Sequence, residues 1–155
     1  MEVQQRPGIR YAHTNLVAAD WQRLAAFYEA VFDCQPAGPE RHNHGPQIES
    51  LTGIPGAAVR GRHLRLPGHG NDGPTLEIFQ FETGPKRARQ RIDRPGFAHL
   101  AFQVDDIEAT RTQILAQGGR DYGRQETIAI PNAGTLTLIY MTDPEGNILE
   151  LQHWR

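Results

Sequence analysis

The same arrangement of strand, helix and closing strand occurs twice along this chain, and this repeat constrains the fold more than any other feature. Each copy opens on an apolar, strand-like segment that carries one histidine, His13 in the first copy and His99 in the second. Each copy closes on a strand in which a glutamate stands between apolar residues, Glu77 and Glu150 respectively. Repetition of one supersecondary unit indicates that the two copies share a fold. We therefore expect an α+β protein built from two tandem βαβββ modules.

A segment in which apolar residues have helical spacing follows each opening strand. Asp20 and Asp106 stand at N-cap positions, and the apolar residues after them recur every three or four positions. The buried faces are predicted to carry Leu24, Phe27, Tyr28 and Val31 in the first helix and Ile107, Ile114 and Leu115 in the second. A hairpin turn is expected at the Asp-Pro-Glu-Gly-Asn segment 143–147, directly before the last strand.

The division of the chain follows from the repeat. Residues 1–83 are predicted to form the first module, 84–96 a polar, basic linker without an assigned function, and 97–155 the second module, the two modules making one domain. The two histidines lie 86 residues apart and the two glutamates 73, so the first module is 13 residues longer. We expect this surplus as loop over 38–46 and 53–56, placed to cover a site.

The repeated histidines and glutamates are candidate metal ligands. Side chains alternate along a strand, which places each His and each Glu on the polar face, opposite Leu and Ile side chains. A carboxylate inside an apolar strand is costly unless it is protonated, ion-paired or metal-bound. A structural salt bridge would explain one such residue, but the recurrence favours one divalent metal held by His13, Glu77, His99 and Glu150. Two imidazoles and two carboxylates suit Ni, Co, Mn, Fe or Zn better than calcium.

Composition narrows the functions that remain. The chain has 155 residues with 16 basic and 18 acidic side chains, a net charge of −2 that gives no sign of nucleic-acid binding. No stretch approaches the roughly 18 apolar residues of a spanning helix, and residues 1–7 lack the apolar run of a signal peptide, so we expect a cytoplasmic protein without membrane association. Cys34 is the only cysteine, which excludes intrachain disulfides and thiolate zinc clusters.

Together these segments resemble the vicinal oxygen chelate superfamily. The resemblance rests on His13, Asp20 before the first helix, the Leu-Glu-Ile around Glu77, His99 and the closing segment 143–151, and it covers nearly the whole chain. That superfamily includes glyoxalase I, methylmalonyl-CoA epimerase, extradiol dioxygenases, fosfomycin-resistance enzymes and metal-free bleomycin-resistance proteins. The resemblance implies paired βαβββ modules whose curled, mixed sheets enclose the metal.

The ligand order His, Glu, His, Glu looks most like bacterial glyoxalase I and is near the epimerase pattern, which has glutamine at the position of Glu77. The resemblance implies a lactoylglutathione lyase-like or epimerase-like enzyme that transfers a proton next to a carbonyl through a metal-bound enediolate. Glu150 is then the candidate base, and Glu77 could act on the opposite face of the substrate. A small-molecule substrate and a homodimer are expected.

Two other functions stay open. One is a metal-free, ligand-sequestering protein of the bleomycin-resistance type. The other is an iron-dependent extradiol dioxygenase, although dioxygenases typically use two His and one Glu, so Glu77 argues against it.

Further expectations concern lining residues and histidines. Thr135, Thr137 and Tyr140 are pocket candidates, with Tyr140 interpreted as core. His42 and His44 are placed in an exposed loop, and His153 is placed on the face opposite Glu150.

Overall fold

Two mixed β-sheets and three helices make up the part of the chain that the computed structural model describes, residues 8–155, and the α+β class is confirmed. Residues 1–7, on which the expectation of no signal peptide rests, lie outside the described residues. The elements in chain order are β1 (His13–Val17), α1 (Trp21–Phe32), β2 (Gln35–His44), α2 (Pro46–Thr52), β3 (Ala58–Arg65), β4 (Thr75–Phe81), β5 (His99–Gln103), α3 (Ile107–Ala116), β6 (Arg120–Asp121), β7 (Glu126–Ile130), β8 (Gly134–Thr142) and β9 (Ile148–Trp154).

The two sheets repeat one strand order. The first runs β1-β4-β3-β2 and the second β5-β9-β8-β6, with β7 also paired to β8. In each sheet the opening strand is parallel to the closing strand, and the remaining pairs are antiparallel. Asn15 lies opposite Glu77 in the first sheet, and Ala101 lies opposite Glu150 in the second. The βαβββ repeat expected from the sequence is therefore present, and matching positions can be compared residue by residue.

Helix α1 belongs to the same compact unit as the second sheet. The first compact unit contains the chain up to Trp21 and the segment Asp33–Glu82. The second contains Gln22–Phe32 together with Thr83–Arg155. Phe32 stacks on Phe102 of β5 with ring centroids 3.9 Å apart. The Tyr28 hydroxyl donates a hydrogen bond to Asp143 Oδ2 at 2.9 Å. Aromatic stacking and a buried hydrogen bond thus fix α1 against the second sheet.

Both predicted helices form, with one error on their buried faces. All four apolar residues predicted for α1 are buried, as are Ile107 and Ile114 of α3. The Asp106 side chain caps α3 by accepting a hydrogen bond from Ala109 N at 2.9 Å. The prediction for Leu115 was wrong, since this residue is 41% exposed. Successive helical residues are about 100° apart, so the face that buries Ile114 turns Leu115 toward solvent.

The predicted loop over 38–46 was wrong, because β2 continues through most of it and α2 follows. Gly38 and Pro39 lie at an irregularity where the register of β2 against β3 shifts between Ala37 and Arg41. Strand β2 is at the edge of its sheet, where a bulge and a proline are tolerated. His42 and His44 are exposed, as expected, but they lie on this strand.

The turn at 143–147 is confirmed. Asp143 Oδ1 accepts hydrogen bonds from the backbone N–H groups of Glu145 and Asn147, at 2.9 and 3.0 Å. The segment 84–96 contains neither helix nor strand, and Arg87 within it donates a hydrogen bond to Asn147 Oδ1 at 2.8 Å. None of the helices in residues 8–155 is long and apolar enough to cross a membrane.

Candidate metal centre

Three potential metal ligands converge on one face of the first sheet: His13 of β1, His63 of β3 and Glu77 of β4. The register places Asn15 on one side of Glu77 and His63 on the other. Because side chains directly opposite each other in neighbouring strands share a face, Asn15 and His63 flank the same carboxylate. The strand order thus builds the cluster from three different strands.

Both oxygens of the Glu77 carboxylate have partners. His13 Nε2 lies 3.5 Å from Oε1, and Asn15 Nδ2 donates a hydrogen bond to the same oxygen at 2.9 Å. His63 Nε2 lies 2.7 Å from Oε2. Glu77 is only 8% exposed, so these contacts are needed to offset the loss of water from its carboxylate. One donor atom from each of His13, His63 and Glu77 lies within 4.8 Å of the other two, an arrangement that could hold a metal ion.

His63 is anchored at both ring nitrogens. Its Nδ1 lies 2.7 Å from Thr75 Oγ1, and its ring meets the His13 ring edge-on with centroids 5.2 Å apart. Burial lowers the pKa of His63 from its ordinary value of 6.5, and nearby Arg41 and His13 act in the same direction, while Glu77 opposes them. The imidazole is therefore neutral at pH 7, which is the form that binds metals.

The second sheet holds a related but smaller cluster. His99 Nε2 lies 3.1 Å from Glu150 Oε2, and Glu150 is 9% exposed. Tyr140 stands opposite Glu150, at the position that His63 has beside Glu77. The Tyr140 ring meets the His99 ring edge-on at 5.2 Å, as His63 meets His13.

Tyr140 is a hydrogen-bond donor to Glu150 at neutral pH. Burial raises the pKa of Tyr140 above its ordinary value of 10.0, and the charge of Glu150 and the hydrogen bond between the two side chains raise it further. Its phenol therefore stays protonated. The interpretation of Tyr140 as a core residue was wrong, because the side chain is half-buried and lies on the face of β8 that carries the Glu150 contact.

The four predicted ligands thus occur as two pairs, His13 with Glu77 and His99 with Glu150, each within its own compact unit. Thr135 and Thr137 were wrong as lining candidates beside Glu150, because alternation puts them on the other face of β8 from Tyr140.

His153 is likewise on the face opposite Glu150, as expected. Its Nδ1–H donates to the Val104 carbonyl at 2.9 Å, which gives this histidine a structural partner.

His63 was missed by sequence reasoning. The second module separates Tyr140 from Glu150 by 10 residues, whereas the first separates His63 from Glu77 by 14, because the β3–β4 connection is longer. The repeat therefore does not align these two positions. A signal was present nonetheless, since His63 sits in an apolar-polar alternation within an arginine-rich strand that pairs with the Glu77 strand.

Solved structures of similar fold come from several bacteria. A glyoxalase family protein from Bacillus cereus superposes with a TM-score of 0.72 at 18% identity, covering 99% of this chain and 98% of that chain. A glyoxalase family protein from Enterococcus faecalis has a TM-score of 0.56 at 24% identity, covering 94% and 97% of the two chains. A glyoxalase-related enzyme from Fulvimarina pelagi has a TM-score of 0.55 at 18% identity, covering 97% and 88%. At these identities the likeness concerns the fold.

Sequence comparison reaches one curated relative and one family. The uncharacterised protein YaeR from Escherichia coli strain K12 is 33% identical over 76 residues, which are 49% of this chain and 55% of the relative, so the match spans about half of that protein's length. The family model matches residues 10–151, nearly the whole described chain. By this match the chain belongs to the Glyoxalase/Bleomycin resistance protein/Dioxygenase superfamily, which includes many enzymes.

Proposed function

We propose that this protein is a metal-dependent lyase or isomerase of the glyoxalase type, which transfers a proton next to a carbonyl of a small oxygenated substrate. The observation that carries the proposal is the duplicated pair of a buried glutamate and a histidine, His13 with Glu77 and His99 with Glu150. We propose that all four side chains ligate one divalent ion.

The chemistry of the donor set fits such an ion. Glu77 and Glu150 are 8% and 9% exposed, and a carboxylate buried to this extent is stable when ionised only beside donors or a cation. Neutral imidazoles and carboxylates together match the preferences of Ni, Co, Mn, Fe and Zn. When bound, a divalent ion supplies Lewis-acid stabilisation of negative charge on substrate oxygens.

Glu150 is proposed as the base, and its surroundings support this role. Glu77 is held from both sides, by the Asn15 amide and by His63. The residue opposite Glu150 on β5 is Ala101, which has no side-chain donor, so the Glu150 carboxylate is less constrained on that side. A carboxylate with this freedom can accept a proton from the carbon next to the carbonyl and return it to the neighbouring atom. Glu77 is then the second candidate, on the opposite face of the substrate.

Apolar side chains beside Glu150 suit the carbon skeleton of a small substrate. Leu136 and Leu138 lie on the Tyr140 face of β8, opposite Trp154 and Gln152 of β9. All four side chains are partly exposed. A surface with a carboxylate, a phenol and apolar neighbours matches a ligand that has one polar, oxygenated end.

Metal analysis of protein purified without an affinity tag tests the proposal. We expect about one equivalent of divalent metal per chain in the untagged protein, and a reduced content in His13→Ala and Glu150→Gln. The exposed pair His42 and Glu82, 3.2 Å apart, provides matched controls, because His42→Ala and Glu82→Gln also break a His–Glu contact but should keep the metal. Less than a tenth of an equivalent, unchanged by His13→Ala or Glu150→Gln, would overturn the enzyme proposal and favour metal-free ligand sequestration.

Activity is tested by proton exchange. Metal-loaded protein in deuterated water should incorporate deuterium next to the carbonyl of its substrate, and screening thiol adducts of 2-oxoaldehydes and 2-substituted acyl thioesters covers the lyase and epimerase alternatives. Glu150→Gln should lower the exchange rate by about 100-fold or more, the usual contribution of a general base. Full exchange by Glu150→Gln would exclude this residue as the base.

One observation supports a second candidate function. His13, His63 and Glu77 form a two-histidine, one-carboxylate set, which is the set that non-haem iron oxygenases use. Oxygen consumption by the ferrous protein with catechols would reveal an extradiol dioxygenase.

The homodimer expected from the sequence stays a prediction, and light scattering would measure the oligomeric state.

A further inference from the structure

We propose that His63 is itself a metal ligand, so that the first sheet binds a divalent ion through three side chains, His13, His63 and Glu77. This inference rests on the proposed function only in requiring that the protein binds a divalent ion. It adds a ligand that neither the internal repeat nor the His-Glu-His-Glu order contains.

The three donor atoms are close to the spacing that a single ion demands. Nitrogen and carboxylate ligands lie about 2.0 to 2.2 Å from ions such as zinc, so two ligands of one ion are at most about 4.4 Å apart. The donor atoms of His13, His63 and Glu77 all lie within 4.8 Å of one another. Rotations of the three side chains that shorten the widest of these separations would bring all three onto one ion.

His63 also has the anchoring that metal-binding histidines have. Such a histidine usually directs its second ring nitrogen to a fixed outer partner, which sets the tautomer and the ring orientation. Thr75 Oγ1 is this partner, 2.7 Å from His63 Nδ1. Nε2 is thereby the ring nitrogen that faces the cluster, where it lies 2.7 Å from Glu77 Oε2, and it would release its proton on binding an ion.

In the second sheet, the position that corresponds to His63 holds a residue that is not among the proposed metal ligands. There the same register position holds Tyr140, whose hydroxyl donates a hydrogen bond to Glu150. The first sheet therefore offers three donors and the second offers two, His99 and Glu150. With His63 as a ligand, four protein side chains would remain on the ion when Glu150 acts as the base.

The simpler alternative is that His63 only holds Glu77 in place by a hydrogen bond. Both roles predict weaker metal binding in a His63 variant, so affinity has to be combined with a direct observation of the bond. Loss of an outer partner costs about 10- to 100-fold in metal affinity. A loss beyond that range in His63→Gln, measured by competition with a chromophoric chelator, is expected if His63 is a ligand.

Cadmium NMR gives the direct observation. Protein labelled with ¹⁵N-histidine and loaded with ¹¹³Cd²⁺ should show metal–nitrogen scalar coupling at His13, His63 and His99, and none at His42 or His153. His63→Gln should lose one coupled nitrogen and retain the other two. A ¹H–¹⁵N spectrum of this variant checks that it folds, and glutamine can still donate to Glu77.

A double variant tests the first sheet by itself. His99→Ala with Glu150→Gln should still bind cadmium, with couplings at His13 and His63, and adding His63→Gln should abolish binding.

The outcomes separate the two proposals. Coupling at His13 and His99 but not at His63 would overturn the further inference and leave the proposed function standing. No coupling at any histidine would overturn both.

Discussion

Gly61 shows how closely the first sheet is packed around its cluster. Its φ is +156°, and an added Cβ would lie 2.0 Å from the Ile78 carbonyl oxygen and 2.7 Å from the Phe79 ring. Backbone cannot yield as a flexible side chain can, so only glycine fits here. Gly61 lies two residues before His63 on the same face of β3. Packing at this position therefore helps fix the strand that presents His63.

Gly61→Ala should destabilise the protein. We expect a loss of about 3 kcal/mol in the free energy of unfolding, the upper end of the range for overpacking. Urea denaturation measures it, with Gly84→Ala as the control, because a Cβ at Gly84 meets nothing within 4 Å. Equal stability of the two variants would contradict the assigned packing role.

Asp143 predicts a pH dependence whose sign can be worked out. Burial raises the pKa of this carboxyl above 3.8, although hydrogen bonds from Asn147, Tyr28 and the turn backbone oppose the effect. A raised pKa means that the folded protein holds the proton more tightly than the unfolded chain does. The stabilising contribution of the protonated form is therefore complete below pH 3.8 and is lost as the pH rises through the folded pKa.

Asp143→Asn removes this titration and tests the sign. The difference in free energy of unfolding between wild type and variant should shift against the wild type as the pH rises above 3.8, and should then become constant. Urea denaturation across the range from pH 3 to pH 7 measures the difference. A shift of the opposite sign would show that the hydrogen bonds to the carboxylate outweigh its burial.

Helix α1 is fixed to the β8–β9 turn by a buried hydrogen bond. Tyr28 is fully buried, and its hydroxyl donates to Asp143, which also organises the turn. Tyr28→Phe keeps the ring but removes the donor, so we expect a loss of about 1.5 to 3 kcal/mol, typical of hydrogen bonds to charged groups. Thermal and urea unfolding measure it. Tyr122→Phe, at an exposed tyrosine whose hydroxyl accepts from Ile92 N, is the control and should change stability by under about 0.5 kcal/mol.

Elements with a local signal were predictable from the sequence, whereas those decided by pairing were not. The α1 face and the turn at 143–147 follow from spacing and turn chemistry alone. Strand β2 was missed because Gly38 and Pro39 indicate a loop, and only the pairing with β3 keeps this segment extended. The association of α1 with the second sheet has no local signal, since a buried helix face does not specify its partner.

The same distinction applies to the candidate site. The sequence points to His13, Glu77, His99 and Glu150 because the repeat places them at equal positions in equivalent strands. Their role as metal ligands stays a prediction. His63 depends on the register of β3 against β4 across a connection of unequal length, which the sequence does not encode locally.

For the whole molecule, the proposal of one shared ion predicts a stoichiometry that separate sites would not give. If His13 and His99 ligate the same ion, wild type binds one equivalent of metal per chain, and each single alanine variant binds that ion with lower affinity. If each sheet bound its own ion, wild type would bind two, and each variant would retain one at unchanged affinity. Native mass spectrometry on untagged protein, titrated with zinc, separates these outcomes.

Thermal stability gives an independent measurement of the same coupling. A ligand that binds only the folded protein stabilises it by about 2.7 kcal/mol at a hundredfold excess over Kd. A shared ion implies that His13→Ala and His99→Ala each lose part of this metal-induced stabilisation, and that the double variant loses less than the sum of the two, because both act on one binding event. His42→Ala should retain all of it, since this exposed histidine pairs with Glu82 outside the cluster. Additive losses would instead place an ion on each sheet, and the catalytic proposal would then have to be built on a single His–Glu cluster.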